Sequence, residues 1–128
     1  MRDLNGRALA PLFVALAAFA LALATPPGDP DTYWHLASGR WMLEHRELLR
    51  ADVFSSTISG QPYSVGEWLG QIVLYLSYLA GGWTGLVILR GLLVATCAFF
   101  LTRVALRGGA PVIVAVPATC AALILSEI

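Results

Sequence analysis

Long hydrophobic stretches without charge alternate with shorter polar stretches along this 128-residue chain. Ala8–Thr25, Trp68–Leu89 and Gly108–Ser126 contain no charged side chain. Uncharged runs of about twenty residues are typical of helices that cross a membrane. The sequence therefore predicts an all-α integral membrane protein, in which about three transmembrane helices are joined by polar segments.

The first hydrophobic run follows Arg2 and Arg7. Because basic residues concentrate on the cytoplasmic side of transmembrane helices, the N-terminus is predicted to be cytoplasmic, with a span at about residues 8–25. A signal peptide is the alternative, since Ala22-Leu23-Ala24 resembles a cleavage site. Both interpretations place residue 26 onward outside the cytoplasm.

The extracytoplasmic segment 26–83 begins with a predicted amphipathic helix. Asp31 is a candidate N-cap for a helix that runs from Thr32 to about His45. Its Trp and Tyr side chains favour the headgroup region of a membrane, so we expect this helix to lie at the interface.

A loop and a second juxtamembrane helix complete this segment. Residues 48–63 are rich in turn-forming residues, and Asp52 is a candidate turn former. Ser64-Val65-Gly66-Glu67 then matches a capping box ahead of a hydrophobic run, which predicts a helix at Ser64–Ala80 that ends at Gly81-Gly82.

The predicted position of the second span depends on whether this glycine pair interrupts the hydrophobic run. A span at about residues 84–106, followed by a third at about 110–126, places Arg103 and Arg107 in the cytoplasm, as the distribution of basic residues favours. In the alternative, Ser64–Gly82 crosses and both arginines lie outside. The first layout is preferred because the run left over in the alternative, Gly91–Thr102, would extend only about 18 Å, too short to cross.

Composition agrees with a membrane protein and narrows the possible functions. Hydrophobic residues make up 58% of the chain and charged residues 12%, about half the roughly 25% charge of a soluble domain. The zero net charge gives no indication of nucleic-acid binding. Cys97 and Cys120 lack metal-binding spacing, and no Walker loop, GxSxG or zinc motif is present. The hydrophobic run that reaches Ile128 predicts an N-terminal part of a longer membrane protein.

Asp29 and Asp31 are the first candidates for chemistry, as a catalytic or metal-binding pair. Two carboxylates at an extracytoplasmic surface can bind a divalent cation such as Mg or Mn, orient a phosphate leaving group through it, or act as a general base. His35 lies four residues after Asp31, so both share one helix face and His35 is a candidate substrate contact. The alternative is that these residues are purely structural: Asp31 is only an N-cap, Asp29 only a solvated carboxylate and His35 only a ring at the membrane interface.

Arg40, Glu67 and Arg90 are further candidates for substrate binding. Arginine binds phosphate through two parallel hydrogen bonds, although a solvated Arg40 or one that contacts lipid headgroups is the simpler interpretation. Glu67 is first a capping residue and second an acid that faces the same cavity as Asp31. Arg90 falls within a predicted span, where an ionisable residue is a functional candidate.

The order of these segments resembles the N-terminal part of GT-C type glycosyltransferases, polytopic enzymes that use lipid-phosphate-linked sugars. The resemblance covers about Asp29–Arg107 and is closest to bacterial proteins that read D-x-D-x-WWH-x-A-x-G and, later, HEWL. Gly66 departs from that pattern, because the family has His there. The matching stretches are DPDTYWHLASGRWMLEH from Asp29, R-x-D-x-FS from Arg50, EWL from Glu67 and GGW-x-GLVILRGLL from Gly81.

The resemblance implies transfer of a sugar from a polyprenyl-phosphate donor on the extracytoplasmic face of the bacterial inner membrane. It implies that Asp31, or Asp29, acts as the base or binds the metal at the acceptor. GT-C proteins have more spans and usually a second acidic site, so the resemblance also implies a part of a longer protein. A non-catalytic membrane subunit that binds lipid or a partner protein is the alternative. A transporter fragment is less favoured, because the charges cluster outside the membrane.

Overall fold

The computed structural model describes residues 2–24, 30–63 and 66–125, with side chains described for residues 6–24, 30–63 and 66–121. Over these residues the chain is helical and contains no β-strand, which confirms the all-α part of the prediction. The helices are α1 (Arg2–Ala24), α2 (Asp31–His45), α3 (Trp68–Arg107) and α4 (Val112–Leu125). The chain divides into two compact units, one formed by Met1–Pro26 with Val87–Ile128 and the other by Pro27–Leu86.

Two helical stretches within the described residues are long and apolar enough to cross a membrane, Gly6–Ala24 of α1 and the whole of α3. The helix α4 is apolar but shorter. Its 14 residues extend about 21 Å at 1.5 Å per residue, compared with about 30 Å of hydrocarbon core. The predicted third span, at about 110–126, therefore corresponds to a helix that does not reach spanning length over its described residues.

The first unit packs α1, the later part of α3 and α4 together through small side chains. Small residues let helix backbones approach closely, which is how helices associate where water provides no driving force. At Gly91, an added Cβ would lie 2.9 Å from the ring of Phe19. Two buried clusters result, one made of Ala10, Leu106 and Ala115 and the other of Val14, Ala18 and Ala98.

Two arginines of this unit donate to backbone carbonyls near helix ends. The last carbonyls of a helix have no partner within the helix, and they carry partial negative charge. The Arg7 guanidinium donates to the carbonyl oxygens of Leu106 and Ala110, both at 3.2 Å. Arg90 donates to the carbonyl oxygen of Ala22, close to the end of α1.

The helix α3 is interrupted at the predicted glycine break. Gly81 has φ −154° and ψ 16°, and Gly82 has φ 57° and ψ −141°. Residues with a side chain rarely adopt the second conformation, so a glycine is needed at position 82. The break also brings Gly85 so close to the Ser77 carbonyl oxygen that a Cβ at position 85 would overlap it.

The helix predicted from Thr32 to about His45 is confirmed as α2, but its N-cap is different. Pro30 occupies the N-cap position and no side-chain capping hydrogen bond forms, so the predicted N-cap role of Asp31 is wrong. Asp31 is instead the first helical residue, where the helix dipole favours a carboxylate. The helix ends before Arg46, which adopts a left-handed conformation with φ 54°.

The loop between α2 and α3 folds back on itself around Asp52. Its Oδ1 atom accepts hydrogen bonds from the backbone N–H groups of Phe54 and Ser55, both at 2.8 Å, which confirms the predicted turn former. These hydrogen bonds lower the pKa of Asp52 below its ordinary value. The hydrogen bond from the Ser55 side chain has the largest effect, and those from the two backbone N–H groups add to it. One antiparallel bridge joins Ala51 to Pro62.

The predicted capping box falls partly outside the described residues, because Ser64 and Val65 are not among them. The helix α3 begins at Trp68, and the carbonyl of Glu67 accepts a hydrogen bond from the backbone N–H of Gln71 at 3.0 Å. Glu67 therefore lies immediately before the first turn of α3, whereas the predicted helix began at Ser64.

Candidate functional site

A close crossing of α2 over the first turns of α3 positions the candidate site, and it lies entirely within the second unit. At Gly39, an added Cβ would overlap the carbonyl oxygen of Gln71 and lie 2.8 Å from its carbonyl carbon. The neighbouring Ser38 is fully buried, and Gln71 is only 3% exposed. The absence of a side chain at Gly39 therefore sets how near the two helices approach.

His35 lies on α2 one turn before this crossing and contacts the beginning of α3. Its Nδ1 atom is 3.2 Å from the side-chain amide nitrogen of Gln71. This contact orients the ring, and the tautomer decides which of its two nitrogens carries the proton. The Nε2 atom lies 3.9 Å from Oε2 of Glu67. The ring is thus held between a donor on one side and a carboxylate on the other.

This arrangement can transfer a proton at Nε2 of His35. A histidine with one ring nitrogen fixed by a donor presents its other nitrogen in a defined orientation, as general acid–base catalysis requires. The imidazole is 28% exposed and the Glu67 side chain 77% exposed, so both groups are accessible from solvent. A solvated pair at this distance adds little stability.

Of the two predicted catalytic aspartates, the structure describes only Asp31. Asp31 is exposed at the start of α2, four residues before His35, and it has an interaction within the protein. Asp29 lies outside the described residues. Among the residues with described side chains, no group of three or more His, Cys, Asp and Glu could hold a metal ion. The predicted Mg or Mn site at Asp29 and Asp31 stays a prediction.

The predicted phosphate contacts Arg40 and Arg90 lie in different units. Arg40 is exposed on α2, where Nε donates to Oε1 of Glu44 at 2.8 Å, and this hydrogen bond raises the pKa of Arg40. Arg90 belongs to the first unit, where it donates to the Ala22 carbonyl. The structure therefore brings together His35 and Glu67 from the predicted set, with Asp31 one helical turn away.

Two aromatic groups surround this part of α2. The Trp34 indole N–H donates to the Tyr63 hydroxyl at 3.1 Å, and its ring packs edge-on against Phe54 with centroids 5.0 Å apart. A second group forms at the glycine break, where Trp83 packs edge-on against Tyr33 at 5.3 Å and Tyr78 at 5.8 Å. These contacts attach the loop and the break in α3 to α2.

Gln71 is the site residue that sequence reasoning missed. In the sequence it falls in the uncharged hydrophobic run Trp68–Leu89. A single amide in such a run is itself a signal, because a buried polar group needs a hydrogen-bonding partner. Its partner is a histidine 36 positions earlier, and periodicity cannot identify a contact at that separation.

Comparison of the chain with models of known protein families found no match, and neither did comparisons with curated proteins and with solved structures. The resemblance to GT-C glycosyltransferases therefore stays a prediction.

Proposed function

We propose that this chain is the N-terminal part of a membrane glycosyltransferase that transfers a sugar from a polyprenyl-phosphate donor at the extracytoplasmic face of the bacterial inner membrane. The observation that supports the proposal most is the position of His35 between Gln71 and Glu67, one turn from Asp31. Proton transfer at an acceptor hydroxyl needs an oriented group of this kind.

Membrane insertion is supported by the exposed surface of the helices. Large hydrophobic side chains cover the outside of α1 and α3, which a soluble protein of this size rarely exposes so extensively. In the proposed orientation the N-terminus is cytoplasmic and the segment 26–83 is outside. The more exposed of these side chains include Phe13, Leu16, Leu21, Leu93, Phe100 and Val104.

Each site residue has a proposed role in the transfer. Asp31, or Asp29, removes the proton from the acceptor or binds a divalent cation that carries the phosphate. His35 and Glu67 contact the acceptor, and Arg40 or Arg90 contacts the donor phosphate. Charge-assisted hydrogen bonds from arginine to phosphate are among the strongest in proteins, so such contacts would stabilise the leaving group.

The test is a transfer assay with membranes that contain the full-length native protein, a mixture of radiolabelled polyprenyl-phosphate sugars and endogenous acceptors. We expect Asp31→Asn or Asp29→Asn, and separately His35→Gln, to lower product formation by about 10²-fold or more, the usual contribution of a general acid or base. Glu47→Gln is the matched control, because it removes the charge of an exposed carboxylate in the same unit. Wild-type product levels in the Asp29, Asp31 and His35 variants would refute the proposal.

A non-catalytic subunit that binds lipid or a partner protein is the second candidate, and the exposed aromatic side chains favour it. Tyr33 is 67% exposed although it packs on Trp83. Under this candidate, Tyr33→Leu and Trp41→Leu abolish co-purification of lipid or partner, whereas Asp31→Asn and His35→Gln have no effect. The opposite pattern supports the enzyme.

A further inference from the structure

A cavity of about 390 Å³ lies in the first unit, where α1 begins and α3 ends. Three arginines line it, Arg7 from α1 and Arg103 and Arg107 from α3. Its remaining walls are mostly apolar and are formed by Pro11, Phe99 and Leu106. The cavity therefore combines strong positive charge with a hydrophobic floor, and it belongs to neither of the proposed roles above.

Helical spacing explains why these residues meet. Arg7 and Pro11 are four residues apart on α1, and Phe99, Arg103 and Arg107 follow one another at the same spacing on α3. Residues four apart lie on one face of a helix. The Arg103 guanidinium lies 5.7 Å from the centre of the Phe99 ring, a cation–π distance, and Arg7 is fixed by the Leu106 and Ala110 carbonyls.

Among the residues with described side chains, no carboxylate forms an ion pair with these three guanidinium groups. The described carboxylates of Glu67 and Glu44 lie close to His35 and Arg40 instead, both in the second unit. Like charges around one cavity repel each other unless an anion is present. Arginine is well suited to an anion with several oxygens, because its planar group forms two parallel hydrogen bonds with phosphate.

The apolar floor identifies the kind of anion. A free phosphate would use the three arginines but would leave Pro11, Phe99 and Leu106 in contact with water. An anionic phospholipid satisfies both parts, because its phosphate is charged and its acyl chain is hydrophobic. The arginines also lie on the side that the positive-inside rule assigns to the cytoplasm, where the membrane surface is negatively charged.

We propose that this cavity binds one anionic phospholipid, with the phosphate between Arg7, Arg103 and Arg107 and an acyl chain along Pro11, Phe99 and Leu106. The proposal does not depend on the transferase activity, because it uses none of the candidate catalytic residues. It adds a lipid site within the first unit.

The test measures lipid selectivity of the full chain in phosphatidylcholine vesicles that contain a small fraction of spin-labelled phosphatidylglycerol or spin-labelled phosphatidylcholine. We expect the wild type to associate preferentially with phosphatidylglycerol, and the double variant Arg103→Gln, Arg107→Gln to lower that preference by about fivefold or more. The double variant Arg46→Gln, Arg50→Gln is the matched control. It removes the same charge from exposed positions in the second unit and should retain the wild-type preference.

A second variant keeps the charges and fills the space. Ala8 also lines the cavity, so Ala8→Phe should lower the preference for phosphatidylglycerol although all three arginines remain. It also provides the test if the double arginine variant does not fold. Three results would overturn the proposal: equal loss of selectivity in the control variant, full selectivity in Ala8→Phe, or displacement of the lipid by soluble glycerol phosphate alone.

Discussion

At the scale of single residues, the side chains with the clearest roles are those whose hydrogen bonds are fixed by their neighbours. Asp52 is the best example, since two backbone N–H groups and the Ser55 side chain surround its carboxylate. Its role was predictable because an Asp that turns the chain bonds to backbone groups two and three residues later. His35 is different, because its partners come from another helix and its role required the structure.

We predict that the stabilising effect of Asp52 depends on pH. The folded protein holds the pKa of Asp52 below its ordinary 3.8, so the charged carboxylate stabilises the fold above pH 3.8 and this contribution is lost as the pH falls through the lower folded-state pKa. Asp52→Asn keeps an oxygen acceptor but removes the charge. Thermal unfolding of the detergent-solubilised chain should show a lower melting temperature for the variant at pH 6.

The difference between the two proteins should shrink as the pH falls below 3.8. Glu47→Gln is the control, because Glu47 is an exposed carboxylate in the preceding turn. A melting-temperature difference that is the same at every pH would show that the charge of Asp52 does not contribute.

At the scale of helices, glycines decide how elements end and how they approach. Gly82 was recognisable in the sequence as half of a glycine pair that ends a hydrophobic run, and its backbone conformation confirms that break. Gly39 gave no such signal, because it lies within an ordinary helical pattern. Its importance follows from the Gln71 carbonyl on the facing helix, which local sequence does not specify.

We predict that Gly39→Ala destabilises the second unit by about 1–3 kcal/mol, the usual cost of an overpacked contact. The new Cβ would overlap the Gln71 carbonyl oxygen and lie 2.9 Å from the Tyr75 Cβ, so α2 and α3 must separate. Chemical denaturation followed by tryptophan fluorescence measures the change, because Trp34 and Trp41 lie on α2.

Gly70→Ala is the matched control on α3. A Cβ at Gly70 has nothing within 4 Å, and alanine favours a helix more than glycine does. We therefore expect Gly70→Ala to be neutral or stabilising. Equal effects of the two substitutions would mean that the close crossing at Gly39 is not important for stability.

At the scale of the whole molecule, the proposed topology places the loop around Ser56 on the extracytoplasmic side and the turn at Gly108 in the cytoplasm. It also predicts that Cys97 and Cys120, whose surfaces are exposed in the protein itself, face lipid. Thiol labelling in intact cells can test the side of the membrane on which both segments lie and the exposure of the two cysteines together.

We predict that a membrane-impermeant maleimide labels Ser56→Cys in intact cells, whereas Gly108→Cys is labelled only after the cells are broken, each in a Cys97→Ala, Cys120→Ala background. The reason is that the reagent cannot cross the bilayer. The wild-type chain, which has only its two native cysteines, should stay unlabelled in both conditions. Labelling of Gly108→Cys in intact cells would favour the alternative layout, in which Ser64–Gly82 crosses the membrane.

The sequence by itself determined the helical class, the positions of the long hydrophobic helices, the break at Gly81-Gly82 and the turn at Asp52. Each of these depends on residues close together in the chain, through hydrophobic runs, backbone freedom or hydrogen bonds over a few positions. The sequence also proposed Asp31 and His35 on one helix face, with Glu67 as an acid facing the same cavity, but it did not identify Gln71 as a partner.

The tertiary structure decided which of these groups meet. It joined His35 to Gln71 and Glu67 across 36 and 32 positions and gathered Arg7 with Arg103 and Arg107 around one cavity. Such contacts depend on where helices cross. That is set by the packing of small residues such as Gly39 and Gly91 against distant neighbours, and no local pattern in the chain encodes it.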